Sequence, residues 1–198
     1  MPAAKRIFDV CAVVPGLVVL LPVYALIALL VRRDGGPVIF AHERVGFRGR
    51  PFRVYKFRTM VPNAHLIGPA VTGGSDPRIT PIGRVLRKYK LDELPQLFNV
   101  LEGSMSLVGP RPEVRKYVDA YPERYAALLA RVKPGITDNA AIEFVDEERM
   151  LAGVADVEGT YIREILPRKL ELYESYAAHP SLWTDMRLIL QTLAKIVR

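Results

Sequence analysis

Asp92 and Glu93 are adjacent carboxylates in the stretch Lys88-Tyr-Lys-Leu-Asp92-Glu93-Leu-Pro-Gln-Leu-Phe-Asn99. They are the first acids after Asp76, and they follow Arg84, Arg87, Lys88 and Lys90. Residues 1–91 carry 15 Lys and Arg against 4 Asp and Glu, a net +11, whereas residues 92–198 carry 13 against 17, a net −4. Cations this close keep a carboxylate ionised and leave positive charge free for a second anion. The local sequence places the pair at a helix start. Asp92 suits an N-cap, Pro95 fits a first turn, and Gln96, Leu97, Val100 and Leu101 form a helical face ending at Gly103. The unpaired N–H groups and dipole at such a start favour an anion such as phosphate. The same two residues also read as an ordinary cap and first-turn acid with no chemistry attached.

Other cations must be brought to this pair from elsewhere in the chain. Val38–Val45 and Phe52–Thr59 are rich in β-branched and aromatic residues, and Gly46, Gly49 and Pro51 between them supply a turn, so a β-hairpin is expected. On its second strand Lys56 and Arg58 share a face by the two-residue period. They suit a lipid or substrate phosphate, or equally a charged edge strand that resists aggregation. Residues 61–80 read as a loop, from Pro62 through Gly68, Pro69, Gly73, Gly74, Ser75, Asp76 and Pro77. Gly73-Gly74 lacks the Gly-Lys-Ser/Thr of a phosphate-binding loop. Thr80-Pro81 then opens a short helix to Tyr89, with Arg84, Arg87 and Lys88 along one side. Gly109-Pro-Arg-Pro112 presents Arg111 from a stiff backbone, which suits two-point phosphate binding by a guanidinium. Pro112 equally suits the first position of a helix running to Arg131.

A membrane is implied by the N-terminal segment. Val10–Val31 is a run of 22 uncharged residues between Lys5, Arg6, Asp9 and Arg32, Arg33, Asp34. As a helix it would measure about 33 Å, against a hydrocarbon core of about 30 Å. The run is too long for a cleaved signal peptide, and Arg32-Arg33-Asp34 is no cleavage site. Pro15 and Pro22 interrupt the run, and basic pairs flank it symmetrically, whereas a spanning helix favours one side. A span and a re-entrant helix broken near Pro22 both remain open on these residues. The segment also accounts for the 50% apolar composition and a mean hydropathy of +0.13.

The single Cys11 excludes an internal disulfide, and the isolated His42, His65 and His179 show no metal-ligand spacing. The isoelectric point near 9.6 admits a nucleic-acid partner, but the basic excess beside an apolar anchor fits anionic membrane lipids better, and no nucleic acid is expected. Beyond Asp138 the chain reads as helical. Tyr161–Ala178 forms a polar helix interrupted by Pro167. The stretch 181–198 places Leu182, Met186, Ile189, Leu193, Ile196 and Val197 at helical spacing, with Trp183, Arg187, Lys195 and Arg198 beside them. Such a helix lies in a membrane interface or docks on the protein core.

Six motifs occur in one order: Lys5-Arg-Ile-Phe-Asp9, Tyr55-Lys-Phe-Arg-Thr-Met60, Asp76-Pro-Arg-Ile-Thr80, Leu91-Asp-Glu-Leu-Pro-Gln-Leu-Phe-Asn-Val100, Met105-Ser-Leu-Val-Gly-Pro-Arg-Pro112 and Lys133-Pro-Gly-Ile-Thr137. Together they resemble the bacterial sugar transferases, the small monotopic phosphoglycosyl transferases. The resemblance is strong over residues 5–137. It implies an α+β, mostly helical, monotopic fold. Residues 1–36 would hold a re-entrant helix broken at Pro22, and residues 37–198 a cytosolic catalytic domain with a short hairpin and a C-terminal interfacial helix. It implies Mg²⁺ as cofactor, and transfer of a sugar phosphate from a nucleotide diphosphosugar, UDP-linked, to polyprenyl (undecaprenyl) phosphate. The place would be the cytoplasmic face of a bacterial inner membrane, and the product would initiate glycoconjugate or polysaccharide assembly. By motif position Asp92 matches the nucleophile, Glu93 its metal-associated partner, and Arg87 and Arg111 basic active-site residues. The alternative is a non-catalytic, membrane-bound relative that binds lipid phosphate. Assembly of identical copies is left open.

The departures are local. Leu21 precedes Pro22 where some members have serine, and Ser104 stands where aspartate is usual. Residues after Thr137 depart from the Gly-x-Ala-Gln-Val pattern common in relatives, so no sugar identity follows. The chemistry is consistent with the residues. A carboxylate can attack phosphorus and form an acyl phosphate, dividing one transfer into two displacements. Phosphate charge must then be neutralised, by Mg²⁺ at Glu93 and by Arg87 and Arg111.

Overall fold

The computed structural model describes residues 3–64, 67, 76–144 and 146–196. His65, most of the expected glycine- and proline-rich loop, and Val197 and Arg198 of the expected C-terminal stripe lie outside the described residues. The architecture is mostly helical with two small sheets. The expected hairpin forms from β1 (Ile39–Val45) and β2 (Pro51–Phe57), antiparallel, with Ile39 opposite Phe57 and Val45 opposite Pro51. A second sheet joins β3 (Ser106–Val108) to β4 (Gly135–Thr137) in parallel.

The apolar run is one α-helix, α1 (Ala3–Arg33), which continues through both Pro15 and Pro22. The break expected at Pro22 is absent. A proline there removes one hydrogen bond, but the turns on either side are held by contacts with the rest of the chain. Asp9 accepts from the Ser106 hydroxyl at 2.8 Å, and the Tyr24 hydroxyl donates to the Leu94 carbonyl at 2.5 Å. Val13 packs with Val54, Val100 and Met105, while Ile27 and Val31 pack with Phe57 and Leu86. One face of α1 therefore lies on the folded body from end to end. The opposite face exposes Ile7, Val14, Val18, Val19, Leu21, Leu26 and Leu29.

The N-terminal cations are not left for lipid headgroups. Arg6 donates to the carbonyls of Val100 and Leu101, and Lys5 donates to Asp185 at 2.5 Å and to the Tyr176 hydroxyl at 3.0 Å.

After the hairpin, α2 (Pro81–Lys88) starts as expected, with the Thr80 hydroxyl accepting from the Gly83 N–H at 3.0 Å. The helix expected at Asp92 starts later. Leu91–Glu93 is a 3-10 turn, and α3 (Gln96–Glu102) follows Pro95, ending at Gly103 with φ +89°. Asp92 therefore does not cap an α-helix. The Leu94 N–H donates to the Leu91 carbonyl and closes the tighter turn, and Pro95, which has no N–H to donate, then stands at the start of α3.

Pro112 likewise lies in extended chain. The helix expected to run from it to Arg131 is instead α4 (Arg115–Val118) and α5 (Pro122–Arg131), split where Tyr121 is forced out of helical geometry by Pro122.

Short helices α6 (Asn139–Glu143), α7 (Glu147–Met150) and α8 (Val157–Thr160) lead to a π-helical turn at Tyr161–Ile165 and then α9 (Leu166–Ala178). The wide turn accommodates Pro167 without ending the helix. In α10 (Leu182–Ile196), Asp185 and Leu188 are buried, and Thr192 bonds to Thr137. Trp183, 75% exposed, and Leu190 and Leu193 face outward, so the docked face is offset from the expected stripe.

The Lys5–Asp185 pair is buried, with Asp185 only 1% exposed. Asp185→Ala leaves an unpaired ammonium beneath α10. It is expected to lower unfolding free energy by about 3–5 kcal/mol, measured by chemical denaturation in detergent.

Candidate active site

Three elements converge on Glu93. The 3-10 turn supplies Asp92 and Glu93, β2 supplies Lys56, and the extended chain after β3 supplies Arg111. Lys56 Nζ donates to Glu93 Oε1 at 2.8 Å and lies 3.9 Å from Asp92 Oδ2. Arg111 grips the same carboxylate at two points, NH2 to Oε1 at 2.6 Å and NH1 to Oε2 at 3.4 Å. Asp92 is 6% exposed and Glu93 9%. Asp92 Oδ1 is buried with no hydrogen-bond partner.

The two carboxylates are driven apart electrostatically. Burial pushes the Asp92 pKa up, Glu93 adds to this, and Lys56, Arg87 and Lys90 oppose it. Burial acts on Glu93 in the same sense, but Arg111 and Lys56 hold it well below the usual carboxylate range. Burial lowers Lys56 against the pull of Glu93, and Glu93 raises Arg111. Glu93 is thus the fixed anion of the site, and Asp92 is the carboxylate with an uncommitted oxygen.

The expected residues are brought together unequally. Asp92, Glu93, Lys56 and Arg111 meet directly. Arg87, half-buried in α2, acts on Asp92 through its charge. Arg58 is elsewhere, just past the end of β2. Its guanidinium donates to the Val31 carbonyl at 2.9 Å, capping the C-terminus of α1. Lys56 and Arg58 do not form one cationic face, because the strand ends at Phe57 and the period ends with it. Pro22 is exposed on α1 and marks no break.

Arg111 is placed by close backbone packing. A Cβ on Gly135 would lie 2.1 Å from the Gly109 nitrogen, so β4 approaches the Gly109 turn as only glycine permits. Three buried acids were not anticipated. Glu113 accepts from the Tyr161 hydroxyl at 2.7 Å, Asp9 holds β3, and Asp138 caps α6 through the Ala141 N–H at 2.7 Å. Glu113 directly follows the Gly-Pro-Arg-Pro tetrad, which was its one available signal.

No group of three or more His, Cys, Asp or Glu suited to a metal occurs among the described residues. Mg²⁺ takes only one or two protein carboxylates, with waters and substrate phosphates completing its shell. The orphaned Asp92 Oδ1 and the adjacent Glu93 carboxylate fit that smaller requirement.

Paired carboxylates are set among cations in a chain that also carries a helix long and apolar enough to cross a membrane. The chain belongs to the bacterial sugar transferase family, whose model matches residues 1–198. It is 37% identical over 196 residues to the UDP-N-acetylgalactosamine-undecaprenyl-phosphate N-acetylgalactosaminephosphotransferase of Aeromonas hydrophila, covering 98% of this chain and 43% of that protein. It is 39% identical over 199 residues to the undecaprenyl-phosphate glucose phosphotransferase of Komagataeibacter xylinus, covering 96% and 35%. It is 36% identical over 198 residues to the UDP-glucose:undecaprenyl-phosphate glucose-1-phosphate transferase of Caulobacter vibrioides, covering 98% and 69%. The chain therefore spans less than half the length of the first two of these relatives.

Asp138 supplies a pH test. Burial raises its pKa from 3.8 to about 6, against the Ala141 bond and the charges of Lys169 and Arg111. The folded state then binds this proton more tightly than the unfolded state. The stability from this group is greatest below pH 4 and falls as pH rises to about 6, by on the order of 3 kcal/mol. Asp138→Asn keeps the capping oxygen and removes the charge. Denaturant titrations at pH 4 and pH 7 should show that it flattens this fall and is at least as stable as the parent at pH 7.

Proposed function

We propose that the chain is a phosphoglycosyl transferase. It moves a sugar phosphate from a nucleotide diphosphosugar to a polyprenyl phosphate, by way of a covalent aspartyl phosphate at Asp92. One observation carries this reading: Asp92 keeps an unpartnered buried oxygen beside a carboxylate already neutralised by Lys56 and Arg111. The names of the relatives, each an undecaprenyl-phosphate sugar phosphotransferase, support the donor and acceptor classes. Two of the names support UDP as the donor nucleotide, and the role assigned to the product is initiation of a polysaccharide or glycoconjugate. The sugar differs among them and is not assigned.

In the first displacement an Asp92 carboxylate oxygen attacks the phosphorus that bears the sugar. The bond to the bridging oxygen breaks, and nucleoside monophosphate leaves with that oxygen. In the second, an oxygen of the lipid phosphate attacks the same phosphorus, releasing Asp92 as carboxylate and leaving a lipid diphosphate sugar. Arg111 and Lys56 hold Glu93 in place and, with Arg87, offset the phosphate charge. Mg²⁺, held by Glu93 with donor phosphates, would supply Lewis-acid stabilisation of the diphosphate. Arg58 holds the end of α1 and, through it, the membrane side of the site.

The fixing of both ends of α1 to one folded body supports a monotopic arrangement, with α1 seated in one leaflet and residues 37–198 on the cytoplasmic face. A span would require Lys5 and Val31, both packed on that body, to lie on opposite sides of a bilayer. The outward apolar residues of α1, with Trp183 and Leu190, suit contact with lipid. The cations of α2 suit anionic headgroups.

Incubation of enzyme, Mg²⁺ and donor without lipid is expected to add the mass of one sugar phosphate at Asp92, discharged by polyprenyl phosphate. Asp92→Asn should form no adduct and lose turnover. Nucleoside monophosphate release only after lipid addition, with no adduct, would support direct attack by the lipid instead. For topology, cysteines introduced at Ala4 and Asp34 in a Cys11→Ser background should label from the same side of the membrane; labelling from opposite sides would establish a span.

A further inference from the structure

We propose that Asn99 is a positioning residue: its side-chain amide seals the open edge of β2 and so fixes Lys56 against Glu93. β2 pairs with β1 along one edge. On the other edge the Tyr55 N–H donates to Asn99 Oδ1 at 3.0 Å, and Asn99 Nδ2 donates to the Arg53 carbonyl at 2.8 Å. The amide offers the strand the same acceptor and donor as the peptide of a neighbouring strand would. Asn99 is 1% exposed, so no water replaces it at this place. Without it a part-buried N–H and a part-buried carbonyl lose their partners.

The rest of the residue is equally committed. Asn99 Nδ2 reaches Ser104 Oγ at 3.3 Å, and the Ser104 hydroxyl donates to the Asn99 carbonyl at 3.1 Å. That carbonyl also receives the N–H groups of Gly103 and Met105, each at 3.1 Å. Ser104 thus serves the same junction through its hydroxyl. Asparagine alone meets the need at this reach. Aspartate has no donor for the Arg53 carbonyl, leucine has neither group, and glutamine is a methylene too long.

The junction sits one residue before Lys56 on the strand and six residues after Glu93 on the segment bearing the carboxylates. The two partners of the 2.8 Å Lys56–Glu93 bond therefore belong to chain segments tied together at Asn99. The apolar contacts nearby do not set this register. Val54 packs with Val13, Val100 and Met105, and Phe57 with Ile27, Val31 and Leu86, but such contacts are non-directional and tolerate sliding. The amide pair is directional. The far end of α3 is held separately, by Arg6 on Val100 and Leu101 and by Lys133 on Gly103 at 2.6 Å. With both ends of α3 restrained, Asn99 sets where along β2 the helix sits.

The inference rests on the proposed reaction at Asp92 and Glu93, and its test separates the two. Hydrogen exchange on the intact protein in detergent reads the junction without reference to turnover. The Tyr55 amide is expected to be strongly protected, and rapid exchange in the parent protein would overturn the junction itself. Asn99→Ala is expected to lower kcat/KM by roughly 10- to 100-fold, the scale of a misplacement near 1 Å. In a Lys56→Met background the same substitution is expected to cost nothing further. Losses that multiply in the double variant would show that Asn99 does not act through Lys56, and would overturn the proposal. Asn99→Asp, which keeps the acceptor and loses the donors, carries the same cycle if Asn99→Ala does not fold. Full turnover by Lys56→Met with a protected Tyr55 amide would refute the role of Lys56 while leaving the junction standing.

Discussion

The buried Glu93 carboxylate, shared by Lys56 and Arg111, is the constraint on which the rest of the structure depends. Burying two adjacent carboxylates is costly unless each is answered. Here two cations face two carboxylates, and three chain segments must be held in register for the set to balance. The hairpin delivers the ammonium, the β3–β4 pairing delivers the guanidinium, and the 3-10 turn delivers the acids. Part of the polar interior serves these three deliveries. Asp9 fastens β3, Tyr24 fastens the Leu94 carbonyl beside the acids, and Glu113 with Tyr161 fastens the chain just beyond Arg111.

What was legible in the sequence was local. The hairpin could be read because β-branched residues and turn residues stand side by side, and α2 because Thr80 and Pro81 carry their capping chemistry with them. The candidate residues stood out through charge contrast, strand period and motif order; Asp92, Glu93, Arg111 and Lys56 lie together, whereas Arg87 reaches Asp92 only through its charge. Non-local features were not legible. The β3–β4 ladder joins Ser106 to Gly135 in parallel, and nothing in either short segment names the other. Asn99 is one more polar residue in a helix until the free edge of β2 is seen beside it. Pro95 admits both an α-helical first turn and a preceding 3-10 turn, and its local sequence is the same for both.

The flanking charges of the apolar segment show why a sound rule can miss its object. Lys5 and Arg6 sit where lipid-facing cations belong, yet both are spent on protein. Lys5 balances an aspartate of α10, and Arg6 answers the carbonyls at the end of α3. Arg58 shows the same displacement from the other side. Its place in a basic strand pattern pointed to substrate, and its guanidinium instead ends a helix. Charge pattern locates cations well, but their partners are set by tertiary packing.

The Lys5–Asp185 contact spans 180 residues of sequence and joins the first helix to the last. Contacts of that separation are slow to form, because a long loop must close before they return any stability. On a ribosome, α1 is made long before the segment that receives Lys5. During that interval the buried face of α1, with its lysine and aspartate, has no finished surface to meet. α10 therefore completes the seat of α1 long after α1 is made, and the buried end of α1 is satisfied only after that closure.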